Sequence, residues 1–191
     1  MFAYTDIEPE KEVSIIMRKY NCGKHPDIRD YGCEPFIFNI KHATNMNQNF
    51  RTALWTGCHM QLTLMSIPVH SDIGVEMHRD VDQLICVESG RAKVYMGTCK
   101  DNLREQAFVG ENYAILIPAG TWHNIVNTGG QPLKLYSLYA PTQHPFGTVH
   151  TTKEDAEHEH HGYNIIFETE KPPDFDAMML YQERRFIVFE K

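Results

Sequence analysis

Between residues 50 and 140 the chain runs in short apolar-polar alternations broken by Gly, Pro and Asn. Residues 59–67 alternate as a strand with one buried face does, and Pro68 ends them. Residues 83–88 place Gln83, Ile85 and Val87 on one side; residues 91–96 do the same with Ala92, Val94 and Met96. Residues 113–117 and 133–139 read as further strands, and a strand starting at His123 carries Ile125 and Asn127 on the same side. Earlier, residues 34–40 and 50–55 have strand character, with a helical turn around His42-Ala43-Thr44 between them and a turn at Thr56-Gly57. Residues 98–104 form a polar loop or hairpin. Short strands at this spacing predict a β-sandwich or small barrel.

The flanks differ. Residues 9–20 open on proline and acids and close on bases, as a short helix prefers, and suit equally an arm that packs on a neighbouring subunit. From Thr151 the chain turns polar through 153–161, a helix or linker, before strand-like runs at 163–167 and 185–189 separated by Lys171-Pro172-Pro173-Asp174.

With 191 residues and 42% hydrophobic content, the chain suffices for one core with extensions. A net charge of -7, with no cluster of Lys and Arg, argues against nucleic acid or an anionic membrane as the main partner. No apolar run approaches the roughly 20 residues of a membrane span, and the N-terminus lacks a basic-then-apolar leader pattern. Five irregularly spaced cysteines fit reduced thiols, and the expected location is cytoplasmic.

The chemistry concentrates between Gly74 and Asn127. In an extended segment Glu76 and His78 share a face and can close on one ion. Gln83, on the returning strand, faces back toward them, with Asp82 as its competitor. Pro118-Ala119-Gly120 is a tight turn that delivers His123. The expected metal ligands are therefore Glu76, His78, Gln83 and His123. Two imidazoles and one carboxylate leave coordination positions open, an arrangement suited to Fe, Mn, Zn or Ni and less to Mg or Ca.

The run P-x-G-x-x-H-x-x-x-N ending at Asn127 resembles the second conserved motif of the cupin superfamily. The earlier run resembles the first, G-x5-H-x-H-x3-4-E-x6-G. Four residues separate His78 from Gln83 and six separate Gln83 from Gly90, so Gln83 stands at the usual glutamate and Glu76 at the usual first histidine. A Trp55-Thr56-Gly57 strand and the 144–150 run, His-Pro-Phe-Gly-Thr-Val-His, are similar to a group of bacterial single-domain cupins. The resemblance implies an all-β double-stranded β-helix: an N-terminal extension at 1–49, a barrel at 50–145, and a polar linker with C-terminal extension at 146–191. It implies a homodimer, with the extensions free to exchange between subunits. It also implies a metal-dependent cupin acting on a small polar or sugar-like molecule. Dioxygenase and isomerase or epimerase are the rival chemistries, since some cupin sugar-phosphate isomerases also use Glu, His and Gln ligands. The alternative is a non-catalytic module that binds or senses a small ligand.

Other signals have plainer readings. Cys22, His25 and Cys33 offer too few ligands for a zinc site, and His158, His160 and His161 read as a solvated linker able to pick up nickel or zinc. Tyr95, Trp122, Tyr136 and Tyr139 can line a pocket that stacks on a sugar or aromatic ligand, although core packing is the plainer role for most aromatics; Cys86 is assigned to packing and Asn127 to holding the turn after the metal strand. No dedicated phosphate clamp is evident near the motifs, although Arg51, Arg79 and Lys93 could contribute to one.

Overall fold

The computed structural model describes residues 28–163, with side chains to residue 158. Helix α1 (Ile40–Met46) precedes nine strands: β1 (Arg51–Thr56), β2 (Gln61–Ile67), β3 (Asp82–Ser89), β4 (Arg91–Gly97), β5 (Arg104–Gly110), β6 (Ala114–Ile117), β7 (Trp122–Asn127), β8 (Leu133–Ala140) and β9 (Val149–His150); helix α2 (Lys153–Tyr163) follows. One sheet has the order β6-β3-β8-β2-β1-β9 and the other β5-β4-β7, all pairs antiparallel. The architecture is the expected all-β double-stranded β-helix.

The register sorts the interior into rows. Across β2, β8, β3 and β6, Gln61, Tyr139, Gln83 and Ile117 stand side by side, followed by Thr63, Ser137, Ile85 and Ile115. The next row is Met65, Leu135 and Val87. Because inward residues recur every second position, moving along the strands takes the barrel from a polar end to an apolar one. The facing sheet follows the same gradient: Met96 pairs with His123, Val94 with Ile125, and Ala92 with Asn127. The apolar end holds the main core, with Ile67, Ile85, Ile125, Leu133 and Leu135 fully buried.

Three strand expectations need correction. Residues 34–40 alternate, with Phe36 and Phe38 turned inward, yet pair with no strand. The extended segment lies over the outer face of the large sheet, where Phe36 stacks on Tyr31 at 4.0 Å and on Phe38 at 4.7 Å, and Trp55 Nε1 donates to the Glu34 carbonyl at 2.8 Å. Asn39 then caps α1 by accepting from the His42 amide. Consequently β2 is buried on both faces rather than one, because Leu62 and Leu64 lie beneath this N-terminal cover with Leu54 and Ala43. Strand β5 has no counterpart among the expected strands: its first five residues are exposed, so no apolar periodicity marks it, and pairing with β4 holds it in place. Tyr163, the first residue of the strand-like run expected at 163–167, ends α2 instead; the rest of that run, the run at 185–189, the helix expected at 9–20 and the Cys22 and His25 reading lie outside the described residues.

Asn127 fastens the loops at the apolar end. Its Nδ2 donates to the carbonyls of Ile67, Pro68 and Gln131 at 3.0, 3.1 and 2.9 Å, and its Oδ1 accepts from the Gly129 amide at 2.9 Å. The side chain is buried, so removing it strands backbone groups away from water. Asn127→Ala should lower unfolding stability by about 2–4 kcal/mol in urea titration with an unchanged denaturant slope. A loss under about 0.5 kcal/mol would show that water replaces the side chain.

Candidate metal centre

Residues 71–78 do not form a regular strand; they run antiparallel along β7, with Gly74 at φ +90° where the four steps from Asp72 to Glu76 pass three of β7. The Asn127 amide donates to the Ser71 carbonyl, the Ile73 amide to the Ile125 carbonyl, and Glu76 and His123 exchange both backbone hydrogen bonds, at 3.0 and 2.9 Å. Residues paired this way stand directly opposite with side chains on one face. The backbone therefore puts the Glu76 carboxylate next to the His123 imidazole before any side-chain choice is made. His78, two residues on, falls on the same face.

The turn that delivers His123 is built as its sequence requires. The Thr121 amide donates to the Pro118 carbonyl, and Gly120 has φ +79°, the third position of a type II turn, which glycine adopts without strain. Two contacts tie this turn to the other motif: the Gly120 amide donates to the His78 carbonyl at 2.7 Å, and the Ala119 amide to Asp82 Oδ1 at 2.9 Å. Asp82 is exposed and committed to that amide, so it does not compete with Gln83 for the interior.

One ligand atom each from Glu76, His78 and His123 lie within 4.8 Å of one another. Glu76 Oε1 is 3.3 Å from His123 Nε2 and 3.5 Å from His78 Nε2. Two donors each about 2.0–2.2 Å from a common ion stand about 3.0–3.4 Å apart, so these edges match a single transition-metal ion. All three atoms are buried without a hydrogen-bond partner among the described residues, as is Gln83 Oε1. Buried polar atoms left unsatisfied are costly, and an ion is a group that satisfies several lone pairs at once. The three side chains fit a metal.

The electrostatics agree. Burial pushes the Glu76 carboxyl up, but the imidazoles of His123 and His78 and the Arg51 charge hold it well below the usual carboxylate range. Burial lowers His123, yet contact with Glu76 and the Thr121 carbonyl outweigh it and leave the imidazole raised. His123 Nδ1 lies 3.0 Å from the Thr121 carbonyl oxygen. A carbonyl only accepts, so Nδ1 carries the proton and the neutral ring presents its Nε2 lone pair to the interior.

Gln83 sits beside the group. Its Nε2 donates to the Tyr139 hydroxyl at 3.1 Å and lies 3.5 Å from Ser137 Oγ. Tyr139 is fully buried and meets the His78 ring edge-on, centroids 5.6 Å apart. Burial, opposed by Arg51 and reinforced by Glu76, pushes its hydroxyl up to about 12, so it stays neutral. Tyr139 thus belongs to the site, whereas Tyr136 packs on the outer face of the sheet. Arg51 also belongs there: its side chain is 1% exposed and its Nη2 lies 3.7 Å from Glu76 Oε2. Arg79 is exposed, and Lys93 pairs with Glu105 at 2.9 Å on the surface. His158 is exposed on α2, and the side chains of His160 and His161 lie outside the described ones. Among the described residues Cys58, Cys86 and Cys99 are free thiols, and no helix is long and apolar enough to cross a membrane.

The model of the cupin domain family matches residues 63–139, the stretch from β2 through β8 that frames this group. YrkC, an uncharacterized protein of Bacillus subtilis, is 58% identical over 129 residues, which are 68% of this chain and 69% of that protein. The chain belongs to the cupin superfamily. An uncharacterized protein of Acanthamoeba polyphaga mimivirus is 39% identical to this cupin over 115 residues, 60% of this chain and 70% of its own. The crystal structure of BH2720 from Bacillus halodurans matches the cupin with a TM-score of 0.67 at 58% identity, over 69% of this chain and 99% of that one.

The two shifted groups set a pH window. The lowered Glu76 stabilises the metal-free fold above its ordinary value of 4.5, and that contribution is lost as pH falls through the folded value. The raised His123 stabilises it below its ordinary value of 6.5, and that contribution is lost as pH rises through the folded value. Metal-free protein should therefore melt highest between these ordinary values. An added divalent ion must displace the His123 proton, so its stabilisation should grow with rising pH and fade in acid. Thermal melts across about pH 4–9, with and without Zn, measure both. Stabilisation by the ion that grows toward acid would exclude His123 as a ligand.

Proposed function

We propose that this cupin is a metal-dependent enzyme acting on a small polar molecule, with dioxygenase chemistry favoured over isomerisation. The observation behind this reading is the set of buried donors at the polar end of the barrel that lack a hydrogen-bond partner among the described residues: Glu76 Oε1, His78 Nε2 and His123 Nε2. Two imidazoles and one carboxylate are the donor set associated with non-haem iron, and three protein ligands leave room for others. Gln83 is a fourth, neutral donor through Oε1, its amide already oriented by Tyr139.

A divalent ion held there supplies Lewis acidity or, as iron, one-electron chemistry with dioxygen. Glu76 offsets one unit of its charge and stays ionised to do so. The Thr121 carbonyl fixes the His123 tautomer. The un-ionised Tyr139 hydroxyl accepts from Gln83 and also meets the Ser137 and Thr63 hydroxyls, which fixes it beside His78. The apolar rows behind the site keep water from approaching from the core side.

Metal content by mass spectrometry on untagged protein tests this. Wild type and a variant lacking residues 158–161 should each hold about one ion per chain after loading, and Glu76→Ala/His123→Ala almost none. Equal metal in wild type and the double variant removes these ligands. Oxygen uptake by the iron-loaded wild type with small polar compounds then separates the chemistries: uptake lost in His78→Ala supports dioxygenation, whereas turnover without oxygen points to isomerisation.

A further inference from the structure

Among the described residues, Arg51 is a buried charged group beside the metal grip that the grip does not use. It lies on β1, paired in register with Met65 and His150, so its backbone is level with the apolar row while its guanidinium extends to Glu76. The side chain is 1% exposed, and Nε and Nη1 are both buried with no hydrogen-bond partner among the described residues. At 3.7 Å, the Nη2 contact with Glu76 Oε2 is an ion pair too long for a hydrogen bond. The Phe50 ring, 5.9 Å from the guanidinium carbon, offers a face but no acceptor. A guanidinium carries five N–H donors in a fixed fork, and this one leaves donors unused.

We propose that Arg51 is the specificity-determining residue of the site and that the substrate is a small carboxylate, bound with its carboxylate group between the metal position and the Arg51 guanidinium. This rests on the metal-dependent reading above. Glu76 displays the geometry: Oε1 faces the two imidazoles while Oε2 faces Arg51, so one carboxylate spans the gap between ion and guanidinium. A ligand carboxylate laid beside Glu76 repeats that bridge and meets donors that Glu76 leaves free. Charge demands it as well. Glu76 is the sole carboxylate of the ligand group, so it balances Arg51 alone, and a divalent ion then leaves two positive charges in a buried site. A neutral sugar would leave that excess uncompensated. A phosphate ester ordinarily gathers several cations, and Arg79 is exposed while Lys93 is held by Glu105. Of the Glu76, His78, His123 and Arg51 side chains, Glu76 is the most exposed, at 11%, so solvent reaches the group on its side.

Calorimetric titration of Zn-loaded protein with glycolate, pyruvate and oxalate, against glycolamide and inorganic phosphate, tests the assignment, with metal content measured on the same samples. Wild type should bind at least one carboxylate at least tenfold more tightly than glycolamide or phosphate. Arg51→Met should keep its metal and lose at least tenfold in carboxylate affinity, and Arg51→Lys, which keeps the charge without the fork, should fall between them. Carboxylate affinity unchanged in a metal-replete Arg51→Met overturns the proposal and leaves the metal reading standing. Loss of metal in Arg51→Met, restored in Arg51→Lys, would show that Arg51 only holds Glu76, and also overturns it. Preference for phosphate overturns it in favour of a phosphate ester. The wild-type comparison of glycolate, pyruvate and oxalate with glycolamide decides even where neither variant folds: no tenfold preference refutes the assignment. Wild type that takes up no metal fails at the earlier step and removes both readings.

Discussion

Everything at the polar end depends on one backbone pairing, the reciprocal hydrogen bonds between Glu76 and His123. Two residues forty-seven positions apart are placed face to face by main-chain geometry, which no side-chain rotamer can undo. The rest of the centre is hung from that pair. His78 follows by strand periodicity, the 118–121 turn is held from below by the His78 carbonyl and from the side by Asp82, and the Thr121 carbonyl sets the proton on His123. The price of bringing a carboxylate and two imidazoles together in the interior falls on their solvation, and the contacts among them and with Arg51 offset it.

Much of this was legible in the sequence. Gln83, Ile85 and Val87, like His123, Ile125 and Asn127, alternate with a period that fixes which side faces inward, and both sets point there. The proline-glycine turn before His123 announces itself by residue type. Glu76 and His78 were placed by extended-chain geometry even though their segment pairs too sparsely to count as a strand. What could not be read were the features set by tertiary partners. Strand β5 has no apolar stripe of its own. The 34–40 segment alternates like a strand because it lies flat on a sheet, and alternation reports side-chain burial rather than backbone pairing. Double burial of β2 is invisible without knowing what covers it.

Arg51 and Tyr139 illustrate the same limit within the site. Arg51 shares its side of β1 with Ala53, and Tyr139 shares its side of β8 with Ser137 and Leu135. An arginine on an inward position was the available signal, but an isolated charge in a strand is more often at a surface. Only the fold shows that the guanidinium ends beside Glu76. Asp82 is the reverse case: its residue type suits a ligand, and one backbone amide takes it out of contention.

The row structure of the barrel has a consequence for how such a protein changes over time. Gln83 and Val87 are four residues apart on one strand, about 13 Å, and they belong to opposite ends of the interior. Most of the hydrophobic stabilisation comes from rows that never meet the donors, and the donors sit in rows that contribute little to that stabilisation. Exchanging a glutamine or a histidine at the polar end therefore alters what is bound without dismantling what keeps the chain folded. Retuning the chemistry and preserving the scaffold become separable tasks for mutation, performed on the same strands.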